Sequence, residues 1–153
     1  MDEHSDDELG IAFSALDYEI DAFLRDSAAL RNGSRDHAWG NEILEAYLVH
    51  GRILASFLGA TSPHRDDITP KDFGIDWTWP STAEAKVVVE HVKAINKHLA
   101  HLSWERAAHR DGVWWDLTEL PRFLIPIFRD FVDELESVHP NYAAILRARV
   151  EVG

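Results

Sequence analysis

Apolar residues recur every three or four positions along most of the chain, which is the pattern of helices that bury one face. The pattern predicts a first helix from Glu8 to about Arg31 and a second from about His37 to Leu58, with Asp36 as the N-cap of the second. The predicted buried residues of these helices are Leu9, Phe13, Leu16, Ile20, Phe23, Leu24 and Leu30, then Ile43, Leu44, Tyr47, Leu48, Leu54, Phe57 and Leu58.

A third helix is predicted over residues 82–110, because residues 81–84 have the form of a capping box and an apolar stripe follows at helical spacing. The opposite face carries Lys97, His101 and Trp104, and the first two are one turn apart. Such a face suits contact with a partner, for example a second copy of the chain, although a solvated face with one stray Trp is the alternative. The stripe consists of Val88, Val92, Ile95, Leu99 and Leu102.

The rest of the chain completes a helical bundle. Residues 59–80 are a long Trp-rich connection, which we expect to fold back onto the bundle with one short helical turn near Pro70. Thr118 is the predicted cap of a fourth helix, and a last short helix is expected from about residue 140 to Val150. The aromatic and apolar residues of the connection that we expect to pack on the bundle are Phe73, Ile75, Trp77 and Trp79.

No strand pattern, internal repeat or domain boundary is evident in the sequence. The expected fold is therefore all-α: a four- to five-helix bundle that forms a single domain over residues 8–153, preceded by an acidic disordered tail at residues 1–7.

Composition narrows the classes of function. The 153 residues contain no Cys, which removes disulfides and thiolate metal sites and fits a cytoplasmic protein. No apolar run approaches the roughly 18 residues of a membrane span, so no membrane partner is expected. A formal net charge of −12 argues against broad phosphate binding, so a nucleic-acid site would need a local basic patch or a basic partner.

Three segments together resemble the HEPN superfamily, most closely its branch related to abortive-infection proteins. They are Glu45 to Arg52, the acidic and aromatic stretch from Arg65 to Trp79, and Asn96 to Leu102. The resemblance implies a helical bundle that dimerises. It also implies either a metal-independent ribonuclease of a toxin–antitoxin or phage-defence system, with RNA as substrate and an antitoxin protein as partner, or a catalytically inactive binding module.

The family motif is an arginine, commonly a polar residue next, and a histidine after four to six intervening residues on one helix. The resemblance assigns the histidine to His101, the polar position to Lys97 and the arginine position to Asn96, so the arginine itself is absent. A second register from Lys93 to His98 keeps a basic residue but has Ala94 in the polar place.

Three residues of the second predicted helix, together with His98, are candidates for a supporting role. Together with Glu42, these residues, Glu45, His50 and Arg52, form either a salt-bridged, partly exposed face or a set from which His50 or Arg52 points at the histidines of the third helix. The candidates for supplying the missing positive charge from another direction are Lys97 and Arg52.

Metal-free RNA cleavage needs a base for the 2′-hydroxyl, an acid for the leaving oxygen and a cation for the phosphorane. In a two-fold dimer His101 of each chain would serve as base and acid, Lys97 as cation and Asn96 as hydrogen-bond donor, with no cofactor.

The rival hypothesis is a metal-binding helical bundle that uses His91, His98 and His101, with Glu105 on the same flank as the first two. A spacing of seven residues places ligands about 10 Å apart along a helix, too far for one ion.

Overall fold

The computed structural model describes residues 4–33, 40–100 and 115–152, and these ranges contain five α-helices and no strand. This confirms the predicted all-α bundle. None of these helices is apolar enough over a sufficient length to cross a bilayer. The helices are α1 (Asp6–Arg31), α2 (Gly40–Phe57), α3 (Ala83–Ile95), α4 (Glu119–Glu136) and α5 (Pro140–Val152), with a 3-10 turn at Pro70–Phe73 and a π-helical turn at Asn96–Ala100.

Helix α1 begins at Asp6, two residues before the predicted start, because Ser5 caps it. The hydroxyl of Ser5 accepts the backbone N–H of Glu8, and the Glu8 carboxylate accepts the backbone N–H of Ser5 at 2.8 Å. This reciprocal pair satisfies two backbone donors at the helix start. Asp6 and Asp7, which were predicted as tail, therefore belong to the first turn, where acidic residues favour the positive end of the helix dipole.

Helix α2 packs closely against both α1 and α4 at Gly51. A Cβ atom on Gly51 would lie 2.7 Å from Leu120 Cδ2 and 2.9 Å from Phe23 Cε2, so only glycine permits this approach. The predicted cap of α2, Asp36, lies outside the described residues. The core that surrounds this contact includes Phe23, Tyr47, Leu54, Leu120, Leu124 and Phe128, all nearly or fully buried.

The Trp-rich connection folds back onto the bundle, as predicted. Phe73 and Ile75 are buried, and Trp77 Nε1 donates a hydrogen bond to the Leu58 carbonyl at 2.8 Å. The expected helical turn near Pro70 is the 3-10 turn, which ends at Gly74 with a φ of +73°. The second half of the connection is thus packed against the end of α2.

Helix α3 follows the predicted pattern only in its first half. Thr82 is the N-cap, and Val88, Val92 and Ile95 are fully buried. Regular α-helix then ends at Ile95 and a π-helical turn follows, whereas the sequence pattern predicted one helix to residue 110. Residues 101–114, including Leu102 and Trp104, lie outside the described residues. A π turn shifts the following side chains around the axis and is frequent at functional sites.

Candidate functional site

The structure brings Arg52 of α2 to Asn96, the first residue of the π turn. Arg52 Nη1 donates a hydrogen bond to Asn96 Oδ1 at 3.0 Å, and both residues are half-buried. The bond joins α2 to the end of α3, and the assignment of Asn96 to the arginine position of the resembled motif stays a prediction.

The other residues expected in the site are distributed as follows. Lys97 is exposed and His98 half-buried in the π turn, next to Asn96. Glu45 is exposed on α2 and does not line the cleft that adjoins Arg52. His101 lies outside the described residues, so its assignment as the central histidine stays a prediction.

Arg52 and Asn96 border a cleft of about 470 Å³ between α1, α2 and the connection that follows α2. This volume falls in the range of small-molecule sites. Of the described residues that line it, Arg52 is the only Arg or Lys, and three are Asp or Glu. The polar side chains that complete the lining are Glu19, Ser56, Thr61, Ser62, His64, Asp66 and Asp67.

One wall of the cleft leads to a cluster of titratable groups between α1 and α2. Glu19 lines the cleft, and its Oε2 lies 2.6 Å from His50 Nδ1. The other ring nitrogen, Nε2, is 4.0 Å from Asp26 Oδ2. The side chains of Glu19, His50 and Asp26 are 19%, 13% and 11% exposed, respectively. The Tyr18 ring packs edge-on against the imidazole. A histidine is thus held between two largely buried carboxylates.

His50 and Arg52 of α2 point in different directions and contact different parts of the protein. The sequence left open whether His50 or Arg52 points at the histidines of the third helix. Arg52 does reach that helix, but at Asn96, and His50 points instead to α1. Positions 50 and 52 lie roughly 200° apart around a helix, so one faces α1 while the other faces the π turn.

Glu19, Asp26 and His64 were not identified from the sequence. Asp26 carried a signal, because it lies between Phe23 and Leu30 in phase with the buried face of α1, where a charged residue is unusual unless it is paired. Glu19 is seven residues earlier and shares its flank. His64 carried no such signal, since its presence in the cleft depends on the path of the connection.

The described residues give no support to the metal-binding hypothesis. No group of three or more His, Asp or Glu side chains within them is arranged to hold an ion. His91 Nε2 instead lies 3.2 Å from Glu119 Oε2, which is a contact between α3 and α4. His101 and Glu105, two members of the proposed set, are outside the described ranges.

The chain was compared with known proteins at three levels. No protein-family model matches it, and neither the curated proteins nor the solved structures give a significant match.

Proposed function

We propose that this protein is a HEPN-like helical protein that cleaves RNA without a metal ion, at a site formed by Arg52, Asn96, Lys97 and His101. The observation that supports this most directly is the 3.0 Å hydrogen bond from Arg52 to Asn96. The resembled motif requires a cation beside its histidine, and Arg52 supplies that cation from α2 where the motif helix has Asn96.

The Arg52–Asn96 bond gives each partner a distinct role. Because Asn96 accepts through Oδ1, its amide nitrogen is directed elsewhere and keeps two hydrogen-bond donors for a phosphate or a ribose oxygen. The bond uses one N–H of Arg52, and the guanidinium has five, so the remaining donors can stabilise a charged phosphorane. His101 takes part in proton transfer, and Lys97 adds a second positive charge on the residue next to Asn96 in the π turn.

The negative charge of the protein limits the length of RNA that the cleft can bind. With a net charge of −12 and a cleft that contains Glu19, Asp66 and Asp67, the protein repels a long phosphate backbone. A short single-stranded segment, with one phosphate at Arg52, avoids most of that repulsion. The proposal includes a homodimer in the cytoplasm that acts in a toxin–antitoxin or phage-defence system, with an antitoxin protein as its regulator.

The test is cleavage of a mixed panel of single-stranded and hairpin RNAs by the wild type and two variants, each with and without EDTA. Wild-type cleavage should persist in EDTA. His101→Ala should lower the rate by about 10²–10⁴-fold, as expected for loss of a proton-transfer group. Arg52→Ala should lower it by about 10²–10³-fold through loss of electrostatic stabilisation.

The matched control is Arg122→Ala, which removes an exposed arginine of α4 that does not line the cleft. It should cleave at the wild-type rate. Absence of cleavage by the wild type, or cleavage abolished by EDTA, contradicts the proposed function. Cleavage that survives Arg52→Ala contradicts the role given to Arg52 while leaving the metal-free reaction intact.

A catalytically inactive HEPN-like binding module is the second candidate. It is favoured by the three carboxylates that share the cleft with Arg52 among the described lining residues, since they oppose the binding of phosphate. A basic peptide segment of a partner protein would complement these carboxylates. Under this alternative the wild type cleaves no RNA of the panel, and a Lys-rich peptide binds with an affinity that Asp66→Asn weakens.

A further inference from the structure

Glu19, His50 and Asp26 form a polar contact between α1 and α2. Burying charged groups costs free energy, and apolar residues of similar size would often join two helices at least as well. A carboxylate or imidazole that faces a cleft can also transfer protons to and from a bound ligand. In this cluster one member, Glu19, reaches the cleft that also contains Arg52 and Asn96.

We propose that Glu19 is the general base of this cleft and that His50 is its positioning residue. The inference rests on the proposed ribonuclease function and adds a catalytic residue from α1, which the resembled motif does not contain. It is supported by the 2.6 Å contact between Glu19 Oε2 and His50 Nδ1, which fixes the carboxylate at the wall of the cleft. An ionised carboxylate only accepts hydrogen bonds, so Nδ1 carries the proton of this pair.

Asp26 completes the arrangement from the buried side. Its Oδ2 lies 4.0 Å from Nε2 of His50, and its side chain is 11% exposed. Arg25 Nε contacts the other oxygen of Asp26 at 3.3 Å, which balances part of its charge. The imidazole is therefore positioned by its hydrogen-bonding contact with Glu19 and by the edge-on Tyr18 ring, with the Asp26 carboxylate near its other nitrogen.

In the reaction, a carboxylate oxygen of Glu19 removes the proton of the RNA 2′-hydroxyl. The 2′-oxygen forms a bond to the adjacent phosphorus, and the bond from phosphorus to the 5′-oxygen of the next nucleotide breaks. His101 protonates that leaving 5′-oxygen, and Arg52 stabilises the charge on the phosphorane. The products are a 2′,3′-cyclic phosphate and a free 5′-hydroxyl, with the proton from the 2′-hydroxyl on Glu19.

With Glu19 as the base, one chain has to contribute fewer histidines to the reaction. If histidines were both base and acid, two copies of His101 from two chains would have to meet at one phosphate. With Glu19 as base, each chain needs His101 only as the acid. The base then comes from the same chain as Arg52 and Asn96, and all three residues line the same cleft.

The first test compares Glu19→Gln with the wild type in steady-state cleavage of a fluorescent single-stranded RNA taken from the active members of the panel. Gln keeps the size of the side chain but is not a base. We expect kcat to fall by about 10²–10⁴-fold while KM changes little, since the group acts on proton transfer. The matched control is Glu134→Gln, the same change at an exposed position of α4, which should leave both constants unchanged.

The second test addresses His50 and separates positioning from folding. His50→Asn keeps an N–H donor near the place of Nδ1, whereas His50→Leu removes it. The asparagine variant should recover a large part of the kcat that the leucine variant loses, with both checked for helicity by circular dichroism. If Glu19→Gln does not fold, Glu19→Asp, which keeps the carboxylate, takes its place and should retain partial activity.

The outcomes distinguish the two proposals. Wild-type activity with an equally active Glu19→Gln variant overturns the base assignment and leaves the ribonuclease proposal standing. Equal activity of His50→Asn and His50→Leu overturns the positioning role. A wild-type protein that cleaves no RNA overturns the proposed function and, with it, the role of Glu19.

Discussion

Replacement of Gly51 by alanine should destabilise the protein, although the same replacement usually stabilises a helix. Gly51 lies inside α2, where its added Cβ would approach Leu120 Cδ2 to 2.7 Å and Phe23 Cε2 to 2.9 Å. Both neighbours are essentially fully buried, so neither can move without disturbing the core. Overpacking of this kind costs about 1–3 kcal/mol.

Gly10 offers the matched comparison. It also lies inside a helix, α1, but no atom lies within 4 Å of the Cβ that alanine would add. Alanine is favoured over glycine in a helix interior by roughly 0.5–1 kcal/mol at either position. That gain cancels when the two variants are compared, so the difference in unfolding free energy between Gly10→Ala and Gly51→Ala measures the overpacking alone.

The assay is urea unfolding of both variants and the wild type, followed by far-UV circular dichroism. We expect Gly10→Ala to be more stable than the wild type, Gly51→Ala to be less stable, and the two to differ by about 1–3 kcal/mol at an unchanged m-value. For a domain of this size each kcal/mol corresponds to roughly 2–4 °C in Tm. Equal stabilisation by both substitutions would refute the close approach of α2 to α1 and α4.

Two further predictions concern titratable groups outside the cleft. Burial, aided by the charge of Asp116, raises the pKa of Tyr47 above its ordinary range, so the folded state resists loss of that proton. Tyr47→Phe also removes the 3.2 Å hydrogen bond to the Leu117 carbonyl and should lower the free energy of unfolding by about 0.5–1.5 kcal/mol at neutral pH. Urea unfolding should show this difference from the wild type shrinking above about pH 10, because Tyr47 begins to ionise there in the unfolded wild type. The backbone N–H and then the hydroxyl of Ser5 lower the pKa of Glu8, so Glu8 stabilises the fold above the ordinary glutamate pKa and loses this effect as pH falls below it. Glu8→Gln should therefore be less stable than the wild type at pH 7, and the difference should disappear once the pH falls below the lowered pKa of Glu8. A loss that persists in acid would contradict this cause.

The periodicity of apolar residues predicted the helices well, because burial of one face depends mainly on spacing along the chain. The predicted start of α1 at Glu8 was two residues too late, because the acidic residues Asp6 and Asp7 have the composition of a solvated tail. Their role is local, since Ser5 and Glu8 cap the helix and acidic residues in its first turn complement its dipole. The interruption of α3 after Ile95 had no counterpart in the spacing of its apolar residues, which continues past that point.

Residues of the candidate site could be proposed from the sequence only where they lie on one segment. The resemblance assigned Asn96 and Lys97 to its motif, an assignment that stays a prediction, and the missing positive charge was expected from Lys97 or Arg52. The contact between Arg52 and Asn96 spans 44 residues of sequence and depends on how α2 and α3 pack. The pairing of Glu19 with His50 spans 31 residues, and no spacing rule within a single helix predicts it.

Helix α2 links the packing of the bundle to the chemistry proposed for the cleft. His50, Gly51 and Arg52 are consecutive, and they face α1, the α1–α4 contact and the π turn, respectively. A shift of α2 that relieves the clash of a new Cβ at position 51 therefore also moves His50 and Arg52. Gly51→Ala should thus reduce RNA cleavage by more than its loss of stability explains, because a displacement of about 1 Å in a positioned group can cost about 10²-fold in rate. Wild-type cleavage by a folded Gly51→Ala variant would show that the orientation of His50 and Arg52 does not depend on this contact.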